Sequence, residues 1–236
     1  MAVEVFPADE LEALASMRRY YAWKAALIAP FVGSRVLEAG CGNGLLLRAL
    51  AERGVRRRYL GVDVNARCLT LARRHLKGRI APELKHLDVS SSRFLLLRSF
   101  RPSSVVFCSS LEVIRRDALA LRRAFAVLPP GGRVVVFASA LRFLSGSLDR
   151  AHHQRRYDRG ELGGMLVRAG FRIERLRYFN LLGALGMAWD NLVLRRMSAP
   201  LADYRRRDLA VPVARLLDAL TGPPLGRSLL AVGVRP

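Results

Sequence analysis

The chain alternates between two patterns of apolar residues. Short, nearly continuous apolar runs bounded by glycine, proline or charged residues are typical of buried β-strands. Between these runs apolar residues recur at the spacing of an amphipathic helix, first within residues 45–50 (LLLRAL). The predicted strands are the apolar part of Arg35–Gly44, then Tyr59–Asp63, Glu83–Asp88, Ser104–Cys108 and Arg133–Ala138. Strands that alternate with helices in this way predict a parallel sheet with right-handed crossovers.

The pattern extends beyond these strands in both directions. A helix is predicted at roughly residues 8–29, and a later helix at 160–169 precedes strands at 171–178 and 228–234. Those last two strands are separated by residues 179–227, a segment too long to be a turn. Its apolar stretches are consistent with a lid over a ligand, a dimer surface or a membrane-facing amphipathic element.

A glycine-rich stretch follows the first predicted strand. Glu38 lies near the end of that strand, and Gly40, Gly42 and Gly44 then recur at every second position. Each glycine removes a Cβ atom where the backbone must turn sharply or lie against a bound molecule. The spacing differs from the dinucleotide-binding pattern G-x-G-x-x-G. It resembles the first motif of class I S-adenosylmethionine (SAM)-dependent methyltransferases, E/D-x-G-x-G-x-G.

This resemblance implies a fold, a cofactor and an enzyme class. The expected fold is a single α/β domain with a Rossmann-like, seven-stranded, mostly parallel sheet, helices on both faces, an antiparallel last strand and a helical insertion before it. Residues 1–33 would form an N-terminal helical cap, 34–178 the core, 179–227 the insertion or lid, and 228–236 the last strand. The expected cofactor is SAM, and no metal site is expected.

Acidic residues end the next two predicted strands. Asp63 follows Gly44 by 19 residues, close to the ~20-residue separation at which an acid of Rossmann-type domains reaches ribose hydroxyls. A helix N-cap is its alternative role. The resemblance assigns Asp88 to the adenine amino group, with backbone contact from Val89. The remaining cofactor contacts that we expect, besides Glu38 and the three glycines, are Tyr20, Cys41, Asn43, Val64, Ser109 and Leu111.

The segment after the fourth strand resembles the family's fourth motif, which commonly reads L-E-H-I. Here the sequence is Leu111 to Ile114 (LEVI), so Val113 replaces the histidine. This change removes one polar side chain from the neighbourhood of the cofactor. The following LPPGG turn, residues 128–132, matches the family's next segment.

A basic segment follows the fifth strand, and we expect it at the carboxyl ends of the strands, where doubly wound sheets bind ligands. Residues 152–159 (HHQRRYDR) resemble H-x-R-R-Y in a group of bacterial methyltransferases that also carry Y-F-N-x-L-G, found here at 178–183. His153 is the expected catalytic base, with Glu112 as the second candidate. The expected acceptor contacts are Arg155 and Arg156, which could clamp an acidic group, Tyr157, which could pack against the acceptor, and Asn180.

Composition indicates the size of the domain and the compartment in which the protein is expected. At 236 residues, 51% of them hydrophobic, the chain can bury the core of one large domain. Its three cysteines are too scattered for a zinc site or a disulfide framework, which favours a reducing compartment, with the cytoplasm as the default. An acidic amino terminus predicts no signal peptide, and the lack of a run of about 18 uncharged apolar residues predicts no membrane span.

The formal net charge of +21 has two explanations. Of 40 basic residues only Lys24, Lys77 and Lys85 are lysine, and such an excess of arginine is what a GC-rich genome gives without selection for binding. Alternatively, the arginine pairs and triplets attract phosphate, nucleic acid or anionic lipid. The basic residues are spread along the chain and are not concentrated in one block.

Together these observations predict methyl transfer to a small-molecule acceptor. We expect the acceptor atom to be a hydroxyl oxygen of a glycan precursor, a lipid or quinone-like compound, or a natural product. RNA methylation through the basic surface is an alternative that the charge favours, although nucleic acid is not the preferred partner. A non-catalytic SAM-binding or scaffold protein is the other alternative, and peripheral membrane contact and the oligomeric state stay open.

Overall fold

A computed structural model describes most of the chain, namely residues 13–54, 58–145, 155–192 and 201–236. Seven strands form one sheet. They are β1 (Arg35–Ala39), β2 (Arg58–Asp63), β3 (Glu83–His86), β4 (Ser104–Cys108), β5 (Arg133–Ser139), β6 (Arg172–Phe179) and β7 (Ser228–Val234). The helices are α1 (Arg18–Ile28), α2 (Leu45–Ala51), α3 (Ala66–Leu76), α4 (Asp117–Val127), α5 (Arg159–Arg168), α6 (Leu181–Leu192), α7 (Leu201–Leu209) and α8 (Val211–Thr221).

The sheet has the strand order β3-β2-β1-β4-β5-β7-β6. Strands β1 to β5 pair in parallel, whereas β7 is antiparallel to both β5 and β6. The chain runs outward from β1 to β3 and then returns to β4 on the other side of β1. Loops therefore diverge between β1 and β4, and such a switch point is where open α/β sheets bind ligands.

Helices cover both faces of the sheet because side chains alternate along each buried strand. Val36 of β1 contributes to one apolar core and Leu37 to the other. Helices α4 and α5 pack over the Leu37 face, while α1, α2, α3 and α8 pack over the Val36 face. The predicted fold is thus confirmed, including the antiparallel last strand and the helices before it.

Two local predictions were wrong. The expected continuous helix at 8–29 is interrupted at Ser16, whose Oγ donates to the Ala13 carbonyl at 2.6 Å, and at Met17, which has non-helical dihedral angles. Residues 8–12 lie outside the described part of the chain. Strand β3 ends at His86 because the Asp88 carboxylate accepts from the Ser90 N–H at 2.6 Å and forms a turn.

A 3₁₀ helix at Ser92–Phe100 was not predicted. Its buried residues are Phe94, Leu97 and Phe100, which recur every third position. This is the period at which side chains eclipse in a 3₁₀ helix.

The insertion between β6 and β7 contains α6, α7 and α8; one carboxylate joins it to α1, and a second joins two of its own helices. Asp208 of α7 accepts hydrogen bonds from the backbone N–H groups of Arg19 and Tyr20 in the first turn of α1, at 3.2 and 2.9 Å. Asp218 of α8 accepts in the same way from Leu181, at 3.0 Å, at the start of α6. Each carboxylate satisfies unpaired N–H groups at the positive end of a helix.

Gly226 lies between the insertion and β7, where the backbone packs closely against Phe179 at the end of β6. A Cβ atom at this position would lie 2.3 Å from the Phe179 carbonyl oxygen. We therefore expect Gly226→Ala to lower the free energy of unfolding by roughly 1–3 kcal/mol, measured by chemical denaturation. Gly160→Ala is the matched control, because no atom lies within 4 Å of its added Cβ. Equal losses in the two variants would contradict the predicted backbone clash.

Candidate active site

A cavity of about 600 Å³ lies at the carboxyl ends of β1, β2 and β4. Residues of α1 and of the insertion helices α6, α7 and α8 wall it on one side. Its volume is within the range of cofactor and small-molecule sites in proteins. The two ends of the cavity differ in charge and in the elements that form them.

The glycine loop forms the floor of one end. The N–H groups of Gly40 and Cys41 donate to the Val62 carbonyl at 2.8 and 2.9 Å, which fixes the loop to β2. Gly40 and Gly42 have φ angles of +76° and +51°, a region that L-residues rarely adopt. A Cβ atom on Gly42 would have no neighbour within 4 Å, so this part of the loop leaves space for a ligand to lie against the backbone.

Asp63, at the end of β2, holds this loop in place. Its Oδ2 accepts from the Gly42 N–H at 2.7 Å and its Oδ1 accepts from the Asn65 N–H at 2.8 Å. Burial raises the pKa of Asp63, although these backbone hydrogen bonds oppose the rise. The N-cap of α3 is Asn65, whose side chain accepts from two backbone N–H groups of that helix, so the alternative role of Asp63 as N-cap was wrong.

Three predicted cofactor contacts lie beyond Asp63 on the same end of the cavity. Val64, Asp88 and Val89 line it after β2 and β3. Val89 is buried, whereas the Asp88 side chain is exposed. This end can therefore offer carboxylate and backbone acceptors beside an apolar surface.

A buried carboxylate, that of Glu38, lines the same end of the cavity as the glycine loop. Glu38 is 2% exposed, and its Oε2 has no hydrogen-bond partner within the described part of the chain. Burial, reinforced by the neighbouring Asp63 carboxylate, raises the pKa of Glu38 well above its usual range. A buried acceptor without a donor is costly, so the site fits a ligand that brings an N–H group.

Lys24 on α1 faces the same region and was missed as a site residue. Its side chain is 3% exposed, and its Nζ donates to the Ser109 Oγ at 2.9 Å. The ammonium lies 4.7–5.0 Å from the ring centroids of Tyr20, Tyr21 and Phe137. Burial lowers the pKa of Lys24, but nearby groups, Cys108 and Tyr20 first among them, raise it overall. The available signal was a lysine between Trp23 and Ala25, in the apolar part of a helix of an arginine-rich chain.

The opposite end of the cavity is formed by residues from β5, β7 and the insertion. Arg156 and Asn180, both predicted acceptor contacts, line this end. Arg207 and Tyr204 of α7 and Arg227 before β7 line it too. The sequence marked Arg207 only as part of the arginine triplet 205–207, and it marked neither Tyr204 nor Arg227, since arginine is common throughout the chain.

Arg155 and Tyr157 lie away from the cavity, which corrects their expected position. The Tyr157 hydroxyl donates to the Asp117 carboxylate at 3.0 Å, and an Arg155 Nη1 pairs with the same carboxylate at 3.0 Å. Arg155 also donates to the Ile114 carbonyl. Residue 157 forms a parallel bridge with Ala140, and alternate residues of such extended backbone point to opposite sides. Only Arg156 of this trio therefore faces the cavity.

Three further predicted residues do not line the cavity. Gly44 packs against α3, and Leu111 is buried in the core. Glu112 is fully buried, and its Oε1 accepts from the N–H and Oγ of Ser139 at 3.2 and 3.0 Å. Burial raises the pKa of Glu112. His153, the first candidate base, lies outside the described residues.

The described ranges contain neither a cluster of metal ligands nor a helix that could span a membrane. Within them, no three His, Cys, Asp or Glu side chains come together closely enough to hold a metal ion. None of the helices described there combines the length and the apolar character needed to cross a bilayer.

Comparison with known protein families identifies a match to the central part of the chain. Residues 36–132 match the family model described as a methyltransferase domain. A curated ubiquinone biosynthesis O-methyltransferase of Albidiferax ferrireducens is 30% identical over 110 residues, which cover 45% of this chain and 42% of that protein. The chain thus spans less than half the length of the curated relatives it matches.

Solved structures resemble the chain over most of its length. A SAM-dependent methyltransferase from Mesorhizobium loti has a TM-score of 0.58 at 18% identity, covering 90% of this chain and 96% of that one. The geranyl diphosphate C-methyltransferase of Streptomyces coelicolor, in complex with Mg²⁺, geranyl diphosphate and S-adenosyl-L-homocysteine, has a TM-score of 0.62 at 12% identity, covering 91% and 77%. Residues 36–132 thus match a methyltransferase domain, and the fold of the chain is shared with solved SAM-dependent methyltransferases.

Proposed function

We propose that this protein transfers the methyl group of SAM to a hydroxyl oxygen of a small-molecule acceptor bound in the same cavity. The observation that carries the proposal is the cavity itself, which joins the glycine loop, Glu38 and Asp63 at one end to a separate polar region at the other. A glycan precursor, a lipid or quinone-like compound, and a natural product are the acceptor classes that we consider.

The residues at the acidic end fit SAM. Asp63 retains acceptor capacity for two ribose hydroxyls, because each of its oxygens accepts one backbone N–H and can accept a second bond. Asp88 and Val89 would meet the adenine. Glu38 Oε2 would accept from the amino group of the methionine part, and Lys24 would pair with its carboxylate.

When bound, SAM supplies a methyl carbon made electrophilic by the sulfonium. The chain's own part is to align the acceptor with that carbon and to exclude water, and the walls contributed by α6, α7 and α8 suit both tasks. An acceptor hydroxyl must also lose its proton. We call the end of the cavity opposite the glycine loop the acceptor end. His153 is our candidate base, since it lies three residues before Arg156, which lines the acceptor end.

Two observations favour a small acceptor over RNA. The cavity wall between its two ends includes the apolar residues Val113, Ile114, Leu182 and Met187, which suit an apolar acceptor body. The curated relatives carry the name ubiquinone biosynthesis O-methyltransferase, which favours a small-molecule acceptor. The net charge of +21 is what supports RNA, and binding of total RNA that weakens steeply with salt would favour that alternative.

Asp63→Ala tests the ribose contact. We expect the affinity for S-adenosyl-L-homocysteine, measured by calorimetric titration, to fall at least about tenfold, because charge-assisted hydrogen bonds are lost. Thermal unfolding of the same samples shows whether the glycine loop still folds without its carboxylate partner. Asp158→Ala is the control, since this exposed carboxylate does not line the cavity. Unchanged affinity in Asp63→Ala would refute the ribose role.

Lys24→Met tests the contact with the methionine carboxylate. The variant should bind S-adenosyl-L-homocysteine about tenfold more weakly and 5′-methylthioadenosine, which lacks the amino-acid part, as tightly as the parent protein does. Lys77→Met removes the same charge from an exposed position and should change neither affinity. Equal weakening of both ligands would mean that Lys24 only supports the fold of the cavity.

His153→Ala tests the base. With a hydroxylated acceptor identified by transfer of a labelled methyl group, turnover should fall roughly 100-fold or more while the cofactor affinity stays constant. The neighbouring variant His152→Ala controls for loss of an imidazole from the same segment. Full turnover in His153→Ala would eliminate it as the base.

A further inference from the structure

Three arginine side chains from distant parts of the sequence meet at the acceptor end of the cavity. They are Arg156, between β5 and α5, Arg207 on α7, and Arg227 directly before β7. We call these three the guanidinium cluster. Its members come from three separate elements, so their convergence results from the tertiary fold and not from a local run of arginines.

One member of the cluster lacks a carboxylate partner in the described part of the chain. Arg207 pairs with Asp190 of α6 at 2.7 Å. Arg156 is 7% exposed, and its Nη1 donates to the Ala140 carbonyl at 3.0 Å. Within the described residues, the Arg227 guanidinium has no ion pair with a carboxylate. Burial lowers the pKa of Arg227, and the charges of Arg207 and Arg156 lower it further, while the Tyr20 and Tyr204 hydroxyls act against this.

The acidic side chains at this end are fewer than the three guanidinium groups of the cluster. Asp203 lines the cavity together with Asp190, and both belong to the insertion. Two tyrosine hydroxyls, of Tyr20 and Tyr204, can donate hydrogen bonds toward the same space. Crowded, partly buried cations are unfavourable without a counter-charge, and an anionic ligand would supply one.

The position of the cluster separates it from the cofactor end. Ser228, which follows Arg227, is paired with Ser139 at the carboxyl end of β5. In the sheet order, β7 is four strands away from β2, the strand that ends in Asp63. At about 4.8 Å for each strand spacing, the two sites are roughly 19 Å apart across the sheet. Arg227 is thus on the far side of β4 from the acidic residues that fit the nucleoside.

We propose that the guanidinium cluster binds an anionic group, a carboxylate or a phosphate, on the methyl acceptor. The planar guanidinium fork matches both anions and can hold either through two parallel hydrogen bonds. The apolar part of the acceptor then lies along Leu182 and Met187, between the cluster and the glycine loop. The identification of this ligand as the acceptor rests on the proposed function, whereas the anion site itself does not.

The test uses four probes with one alkyl chain and different head groups. Octanoate, octyl phosphate, octanol and octylamine are titrated calorimetrically into the full chain, with and without saturating S-adenosyl-L-homocysteine. The two anions should bind at least about tenfold tighter than octanol, and octylamine should bind more weakly than octanol. A preference for octanoate over octyl phosphate identifies a carboxylate acceptor, and the reverse identifies a phosphate.

Variants then assign the preference to the cluster. Arg227→Gln should remove most of the tenfold preference for the anions, and Arg227→Lys should retain part of it. Arg168→Gln removes an exposed arginine of α5 outside the cavity lining and should leave the preference intact. The affinity of Arg227→Gln for S-adenosyl-L-homocysteine should equal that of the parent protein.

Three results would overturn the proposal. The first is equal binding of anionic and neutral probes, and the second is no measurable binding of either anion at millimolar concentration. The third is an Arg227→Gln variant whose affinity for S-adenosyl-L-homocysteine falls in the same proportion as its affinity for octanoate. The last result would assign Arg227 to the cofactor. Failure of the parent protein to bind S-adenosyl-L-homocysteine, with anion binding intact, would refute the proposed function and leave the anion site standing.

Discussion

The hydrogen bond from the Gly42 N–H to the Asp63 carboxylate, 2.7 Å long, joins the two parts of the chain on which the cofactor end of the cavity depends. Strands β1 and β2 are parallel neighbours, so the loop that leaves β1 meets the carboxyl end of β2. The positive φ angle of Gly42 presents its N–H to that carboxylate. A residue with a side chain would be strained there and would fill the space that the ligand needs.

The acceptor end depends on a different constraint, the attachment of α7 to α1. Asp208 of α7 accepts from first-turn N–H groups of α1, whereas Asp218 of α8 accepts from a first-turn N–H group of α6 and joins two helices of the insertion. A carboxylate at a helix N-terminus also interacts favourably with the helix dipole. Beside α1, α7 contributes Tyr204 and Arg207 to the lining of the cavity.

The two ends of the cavity carry opposite charge. Glu38, Asp63 and Asp88 lie at one end, and the guanidinium cluster lies at the other. Lys24 sits between them, buried against aromatic rings and bonded to Ser109. Fields of opposite sign in one low-dielectric cavity orient two ligands that differ in charge, and they discourage either ligand from binding at the wrong end. Val113 contributes an apolar wall where the motif L-E-H-I has a histidine, so our proposal assigns proton transfer to another element.

The sequence alone predicted the strands, their parallel arrangement and most of the residues that line the acidic end of the cavity. These features are local, because alternation, a strand-end acid and glycines with positive φ act through neighbouring residues. Only the tertiary structure brought Lys24, Arg207 and Arg227 to the cavity, since they come from α1, α7 and the residue before β7. It also separated Arg156 from its neighbours Arg155 and Tyr157, because extended backbone turns successive side chains to opposite sides and a motif of adjacent letters does not record which side faces the ligand.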